Sequence, residues 1–203
     1  MATTVCAVAM AAGVAKPAGL EWWFVLAMIV LVVLFADWNA LHVLAGDAAI
    51  RSGEYHRAVL HYTRAIAGSP ETAEHYYLRG LAQHWQESLD AAVSDYSEAI
   101  RLDVRDPLPW IGRASVHYQR GAFEQAIDDA TVALCLVPGE YAALTLRGAC
   151  YYACARIDEA LHDLDEAVKA SPDGWEAHHA RGQTRLATGD FARALEDFDV
   201  AIQ

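Results

Sequence analysis

Cys150 and Cys154 stand four residues apart, the spacing that puts two thiols on one helix face where they could supply half of a tetrahedral metal site. His117, His178 and His179 fall in the helices to either side and would have to complete it. The ordinary reading of small cysteines in such a pattern is a packed apolar interior, and Cys6, Cys135, Cys150 and Cys154 form no evident disulfide framework. Acid pairs such as Asp128–Asp129 fall on charged helix faces. No phosphate-binding loop, nucleophile elbow or metal motif accompanies them, so neither an enzyme nor a bound metal or cofactor is expected. A more regular chemistry lies in Arg79, Arg113, Arg147 and Arg181, each matched by an aspartate sixteen residues on: Asp95, Asp129, Asp163 and Asp197. A guanidinium grips a carboxylate with two parallel hydrogen bonds, so these pairs predict a repeated brace between two helices. A ligand-binding row of arginines is the alternative.

The braces recur because the chain does. A 34-residue period runs without insertion or deletion from Asn39 to the C-terminus. Its units are 39–72, 73–106, 107–140, 141–174 and a shortened 175–203. The eighth position is small in each: Gly46, Gly80, Ala114, Gly148 and Gly182. Ala58, Ala92, Ala126, Ala160 and Ala194 hold the twentieth, and Ala65, Ala99, Ala133, Ala167 and Ala201 the twenty-seventh. Small residues at fixed places let two helices cross closely. Tyr62, Tyr96, Ala130, Leu164 and Phe198 supply a mostly bulky neighbour at the twenty-fourth. Gly53, Gly121 and Gly189 mark a turn inside the unit, and Pro70, Pro138 and Pro172 end its second helix. Val104 stands in that place in the second unit, whose turn must be made differently. At the two brace positions the first unit has neither residue, but Ala45 and His61.

The pattern resembles the tetratricopeptide repeat (TPR) family over about 165 of the 203 residues. The resemblance implies an all-α fold, a right-handed α-solenoid of about five helix-turn-helix units, whose first helices line a concave groove for other proteins. By that resemblance the groove would present Tyr77, Leu81 and His84, then Ile111, Ser115 and Tyr118, then Thr145 and Tyr152, then His179 and Gln183. Such a surface is aromatic and largely uncharged, suited to a peptide; the other reading of its tyrosines is as filler between units. The basic residues and asparagines with which family members grip a C-terminal carboxylate are missing: Val43, Asp47, Leu78, Leu108 and Gly112 stand at those places. At the C-terminal end, Phe191, Leu195, Phe198 and Ile202 lie at helical spacing and suggest an interface with a partner or a second copy.

Ahead of the array, Trp22 to Ala36 is free of charge, with Trp22, Trp23 and Trp38 placed like interfacial anchors. A single transmembrane helix over 21–38 is therefore expected, embedded in a lipid bilayer, with 1–20 left without assigned structure. The alternatives are a cleaved signal peptide, which would release a soluble exported adaptor, and a buried capping helix. Lys16 precedes the span and the first basic residue after it is Arg51, which favours an extracytoplasmic array. The net charge of −12 and the lack of a basic patch exclude nucleic acid as an expected partner. The expected function is a membrane-anchored scaffold or accessory subunit that holds other proteins of a membrane complex, with self-assembly of the array as a further reading.

Overall fold

The computed structural model describes residues 22–202, and within the apolar stretch 22–37 it describes the helix but, Ala27 apart, not the side chains. Ten helices are found among the described residues, and no strand. They are α1 (Trp22–Arg51), α2 (Tyr55–Gly68), α3 (Ala73–Trp85), α4 (Leu89–Leu102), α5 (Pro107–Gln119), α6 (Phe123–Leu136), α7 (Tyr141–Ala153), α8 (Ile157–Ala170), α9 (Trp175–Ala187) and α10 (Phe191–Ala201). From Asn39 onward they pair as the period requires, α1 with α2, α3 with α4, and so on. Each second helix also packs on the first helix of the next unit. First helices of neighbouring units (α3 with α5, α5 with α7, α7 with α9) touch directly as well, so they form one continuous layer. Among the described residues no helix is long and apolar enough to cross a membrane. The anchor expected over 21–38 falls mainly on side chains outside that description, as does all of 1–20.

The small residues at the eighth position allow the bulky ones at the twenty-fourth. A Cβ on Gly148 would lie 2.7 Å from Leu164 Cγ, and one on Gly182 2.7 Å from the Phe198 ring. The third unit shows the complementary solution: with Ala130 in place of a large side chain, Ala114 carries its methyl in the same position and both are fully buried. Turns follow a similar economy. Gly53, Gly121 and Gly189 take positive φ where the first helix of the unit ends. Glu87 and Ala155 hold the same place in the second and fourth units at φ 63° and 59°, a conformation that costs an L-residue about 1–2 kcal/mol. Where Val104 replaces the usual proline, Asp103 Oδ1 accepts from Arg105 N at 3.0 Å. Asp106 Oδ1 then caps α5 by accepting from Leu108 N, with Pro107 opening the helix.

Each brace has three arms. Arg113 Nε and Nη2 donate to Asp129 at 2.8 and 2.7 Å, and Arg147 donates likewise to Asp163 at 2.6 and 2.9 Å. Arg79 and Asp95 repeat the geometry at 2.7 Å, and Arg181 reaches Asp197 at 2.6 Å. The remaining guanidinium nitrogen, Nη1, reaches back one unit, to Thr63, Ser97, Thr131 and Asp165 in turn, at 2.8–3.2 Å. One side chain thus ties the second helix of its own unit to the second helix of the unit before. The last brace is denser, since Arg185 Nη1 and His178 Nδ1 also bind Asp197. In the first unit, His42 Nδ1 meets His61 Nδ1 at 3.2 Å where later units have the ion pair.

Three measurements test this account. Gly148→Ala lowers the unfolding free energy by about 1–2 kcal/mol in urea titration, because the clash exceeds the gain in helix propensity. Asp163→Ala costs about 3 kcal/mol, since it leaves Arg147 half-buried without its carboxylate, whereas Thr131→Val costs about 1 kcal/mol. Burial opposes ionisation of Asp197, but hydrogen bonds from Arg181 and His178 and the charge of Arg185 outweigh it and hold its carboxyl below the usual range. Its contribution is therefore complete above the unfolded carboxylate pKa of about 3.9 and is lost as pH falls through the lower folded value. The stability gap between the wild type and Asp197→Ala closes as unfolding is followed from pH 6 down through that window.

Candidate functional site

The residues expected to line the groove divide into a cluster and a scattered remainder. Tyr77, Leu81 and His84 of α3 come together with Ile111 and Ser115 of α5 around a cavity of about 480 Å³. Spacing accounts for this, because residues four apart on α3 and four apart on α5 project from adjoining helices of one layer. Trp85, Leu108, Glu140 and Ala142 also border the cavity, and Tyr96 and Gly112 complete its lining. Gly112 is essential to its shape, since a Cβ there would come within 2.7 Å of the Tyr96 ring. A volume of this size fits a small molecule or the anchor side chains of a peptide.

The walls are apolar and the polar atoms few. Tyr77 and Tyr96 place their rings 6.0 Å apart. Burial, with Asp106 adding to it, raises the pKa of Tyr77, and burial raises that of Tyr96 further. Both hydroxyls are therefore neutral. The Tyr96 hydroxyl is buried without a hydrogen-bond partner. His84 Nε2 lies 3.1 Å from Gln119 Oε1 across the rim, and burial nevertheless lowers its pKa, so at neutral pH it too is uncharged. A segment entering here would meet no cation and one flanking acid, Glu140.

The other expected groove residues do not join the cavity. Tyr118 is exposed and leans on Phe123 of α6 at 5.7 Å, and Tyr152 is exposed on α7. Thr145 is half-buried, with its hydroxyl unpartnered. His179 and Gln183 are exposed on α9. At the far end, Phe191, Leu195 and Ile202 are exposed, but Phe198 is not part of that surface: it is half-buried, set over Gly182 and 6.0 Å from the His179 ring. The plug role of its register position takes precedence over the helical stripe drawn through it. Tyr96 and Trp85 were not expected at the groove, whereas Gly112, like Leu108, stands at a place where the resemblance puts carboxylate-gripping residues. Tyr96 occupies a position read as core spacing, and the missing Cβ at Gly112 signals that two units leave a gap there.

The residues singled out for metal chemistry are dispersed. Burial pushes the Cys150 thiol up to about 12, which keeps it protonated. His117 lies 3.8 Å from Asp129, and His178 is held by Asp197 and by the Pro172 carbonyl. Among the described residues no three His, Cys, Asp or Glu side chains converge as metal ligands.

The tetratricopeptide repeat model matches residues 43–107, 86–143 and 151–203. Sperm-associated antigen 1 of Mus musculus and of Rattus norvegicus are each 30% identical over 93 residues, which is 46% of this chain and 10% of theirs. The chain therefore spans about a tenth of the length of the curated relatives it matches. Among solved structures, MamA from Desulfovibrio magneticus RS-1 superposes with a TM-score of 0.71 at 17% identity, covering 82% of this chain and 94% of that one. PilF of Pseudomonas aeruginosa gives 0.75 at 13% identity, covering 83% and 77%. YrrB, described as a TPR protein with an unusual peptide-binding site, gives 0.62 at 21% identity, covering 79% and 83%. At these identities the likeness is one of fold. The family match covers more than half of the residues and agrees with the paired helices, so the chain belongs to the tetratricopeptide repeat family, whose fold is that of a protein–protein interaction scaffold.

Proposed function

We propose that this chain is a membrane-anchored scaffold, an accessory or assembly subunit that holds another protein of a membrane complex by a peptide segment. The observation that carries the binding half is the cavity walled by α3 and α5, apolar and neutral, with the Tyr96 hydroxyl left unpartnered beside it. YrrB, which shares the fold, is described as having a peptide-binding site. An apolar anchor side chain of the partner would fill the cavity, and a polar atom beside it would satisfy Tyr96. The membrane half draws on the charge-free run Trp22–Ala36 and on the positions of Lys16 and Arg51, which favour an extracytoplasmic array. The scaffold is not an enzyme in this reading.

The test is the composition of the native assembly extracted from its own membranes in mild detergent. A defined set of co-purifying membrane proteins is expected. Ile111→Glu, which puts a charge on the cavity wall, is expected to reduce their recovery at least tenfold while the helical circular dichroism is unchanged. Tyr96→Phe keeps the fold, removes an unsatisfied hydroxyl and lowers recovery less. Recovery that survives both Ile111→Glu and Leu81→Glu would rule out the groove as the binding site.

A further inference from the structure

The first unit exposes a face that every later unit hides. Along the third position of the period, His75, Pro109, Ala143 and Ala177 are buried, each against the unit before. Along the tenth, Ala82, Val116, Cys150 and Thr184 are completely buried. In the first unit the same two places are Leu41, 58% exposed, and Ala48, also exposed. Leu44, between them, is 63% exposed, and Trp38, one turn earlier, is 56% exposed. Leu41, Leu44 and Ala48 follow helical spacing and form one stripe on α1, with Trp38 at its edge, where it borders Arg64, Ala67 and Gly68 of α2.

The polar residues of this stretch turn the other way. Asn39 is buried and donates to Ser69 Oγ, His42 is buried against His61, and Asp47 accepts from the Tyr62 hydroxyl at 2.7 Å. The exposed residues of this stretch are thus apolar, and they lie on the same unbroken helix of 30 residues as the charge-free run, from which Asp37 separates them.

Length decides what covers it. A helix from 22 to 38 rises about 25 Å, short of the roughly 30 Å of a bilayer's hydrocarbon core. Carried on to Leu44 the rise is about 34 Å, enough to span the core with some tilt, with Asp37 the one charged residue along that length. The extension exists on one face only, since α2 covers the opposite one. The charges agree with this. Arg51, Arg57 and Arg64 balance Asp47, Glu54 and Glu71 in the first unit, so the acidity of the array is carried by the units farther along. The unit beside the lipid is therefore the one that anionic headgroups do not repel.

We propose that the Trp38–Leu41–Leu44–Ala48 face of the first unit is embedded against the lipid bilayer, so that the array rests on the membrane by its first unit. This rests on the membrane-anchor reading given above. The test uses the full chain with Cys6, Cys135, Cys150 and Cys154 replaced by serine or alanine, and single cysteines introduced at 30, 41, 44 or 186 for a nitroxide label. The labelled proteins are reconstituted into phosphatidylcholine vesicles, and the accessibility of each label to oxygen and to a water-soluble nickel chelate is measured. Labels at 41 and 44 are expected to match the oxygen-rich, nickel-poor signature at 30 and to differ from the aqueous label at 186. If 30 is in lipid while 41 and 44 are aqueous, the anchor stands and this proposal falls. Labels at 41 and 44 closed to both reagents would mean that protein covers the face, whether residues 1–20, a second copy or a partner's helix, and would also overturn it. An aqueous label at 30 would remove the anchor and the proposal together. Because replacing the buried Cys150 can weaken the array, a second arm keeps the native cysteines. It compares Leu41→Trp and Leu44→Trp with the wild type in vesicles of brominated phosphatidylcholine. A larger quenched fraction of tryptophan emission is expected in both variants, and a smaller one would refute the docking.

Discussion

A single guanidinium in each of the last four units sets the geometry on which the rest of this array depends. It binds the carboxylate of its own second helix in two places and a hydroxyl or carboxylate of the previous unit's second helix in a third. Hydrophobic contact between helices is tolerant of sliding, since Ala and Leu surfaces repack at small cost. A planar fork with three fixed partners is not. Held on mostly buried aspartates, it specifies the angle within a unit and the step to the next. The same pairing removes arginines from the pool of free cations, and this is one reason that the groove beside them carries no positive charge. The aromatic rings of Tyr76 and Trp110 lie 5.7 and 5.1 Å from the Arg79 and Arg113 guanidinium carbons and shield that face of the brace from water.

Much of this was legible from spacing. The joint presence of arginine and aspartate at the two brace positions in four units and their joint absence there in the first pointed to a contact, and Arg147 and Asp163 are in contact. The third arm was not read, although its signal was there: Thr63, Ser97, Thr131 and Asp165 recur at one register position and all can accept a hydrogen bond. Composition alone hides such a set, because threonine, serine and aspartate look unrelated until a shared donor is known. Glu87 and Ala155 were illegible for a different reason. Glycine advertises a left-handed turn, whereas a residue forced into one by the helices on either side carries no mark of it. The cavity was half legible. Its α3 and α5 walls follow from helical spacing, but its floor depends on how far Gly112 lets Tyr96 reach between two units. Phe198 shows the limit of stripe reading, since one residue satisfied two patterns and packing selected the plug.

The groove and the open face of the first unit are consequences of the same repetition. Stacking identical units buries each unit's leading face under its predecessor, so the unit without a described predecessor displays that face, and its composition reports what lies against it. Here it is tryptophan, leucine and alanine, with Asn39, His42 and Asp47 turned inward. The cavity arises where the repetition is imperfect, at the join where a glycine replaces the larger side chain of its equivalents Leu78 and Leu146.

The unbroken α1 has a mechanical meaning. A helix of 30 residues that is at once the apolar segment and the first strut of the array leaves no swivel between them. Rotation of one about the helix axis is rotation of the other, and the braces carry that azimuth from unit to unit. A segment seated between α3 and α5 is then presented at a set height and compass bearing relative to α1. The array behaves as a bracket, in which the direction a partner faces is built into the backbone rather than sampled by a tether.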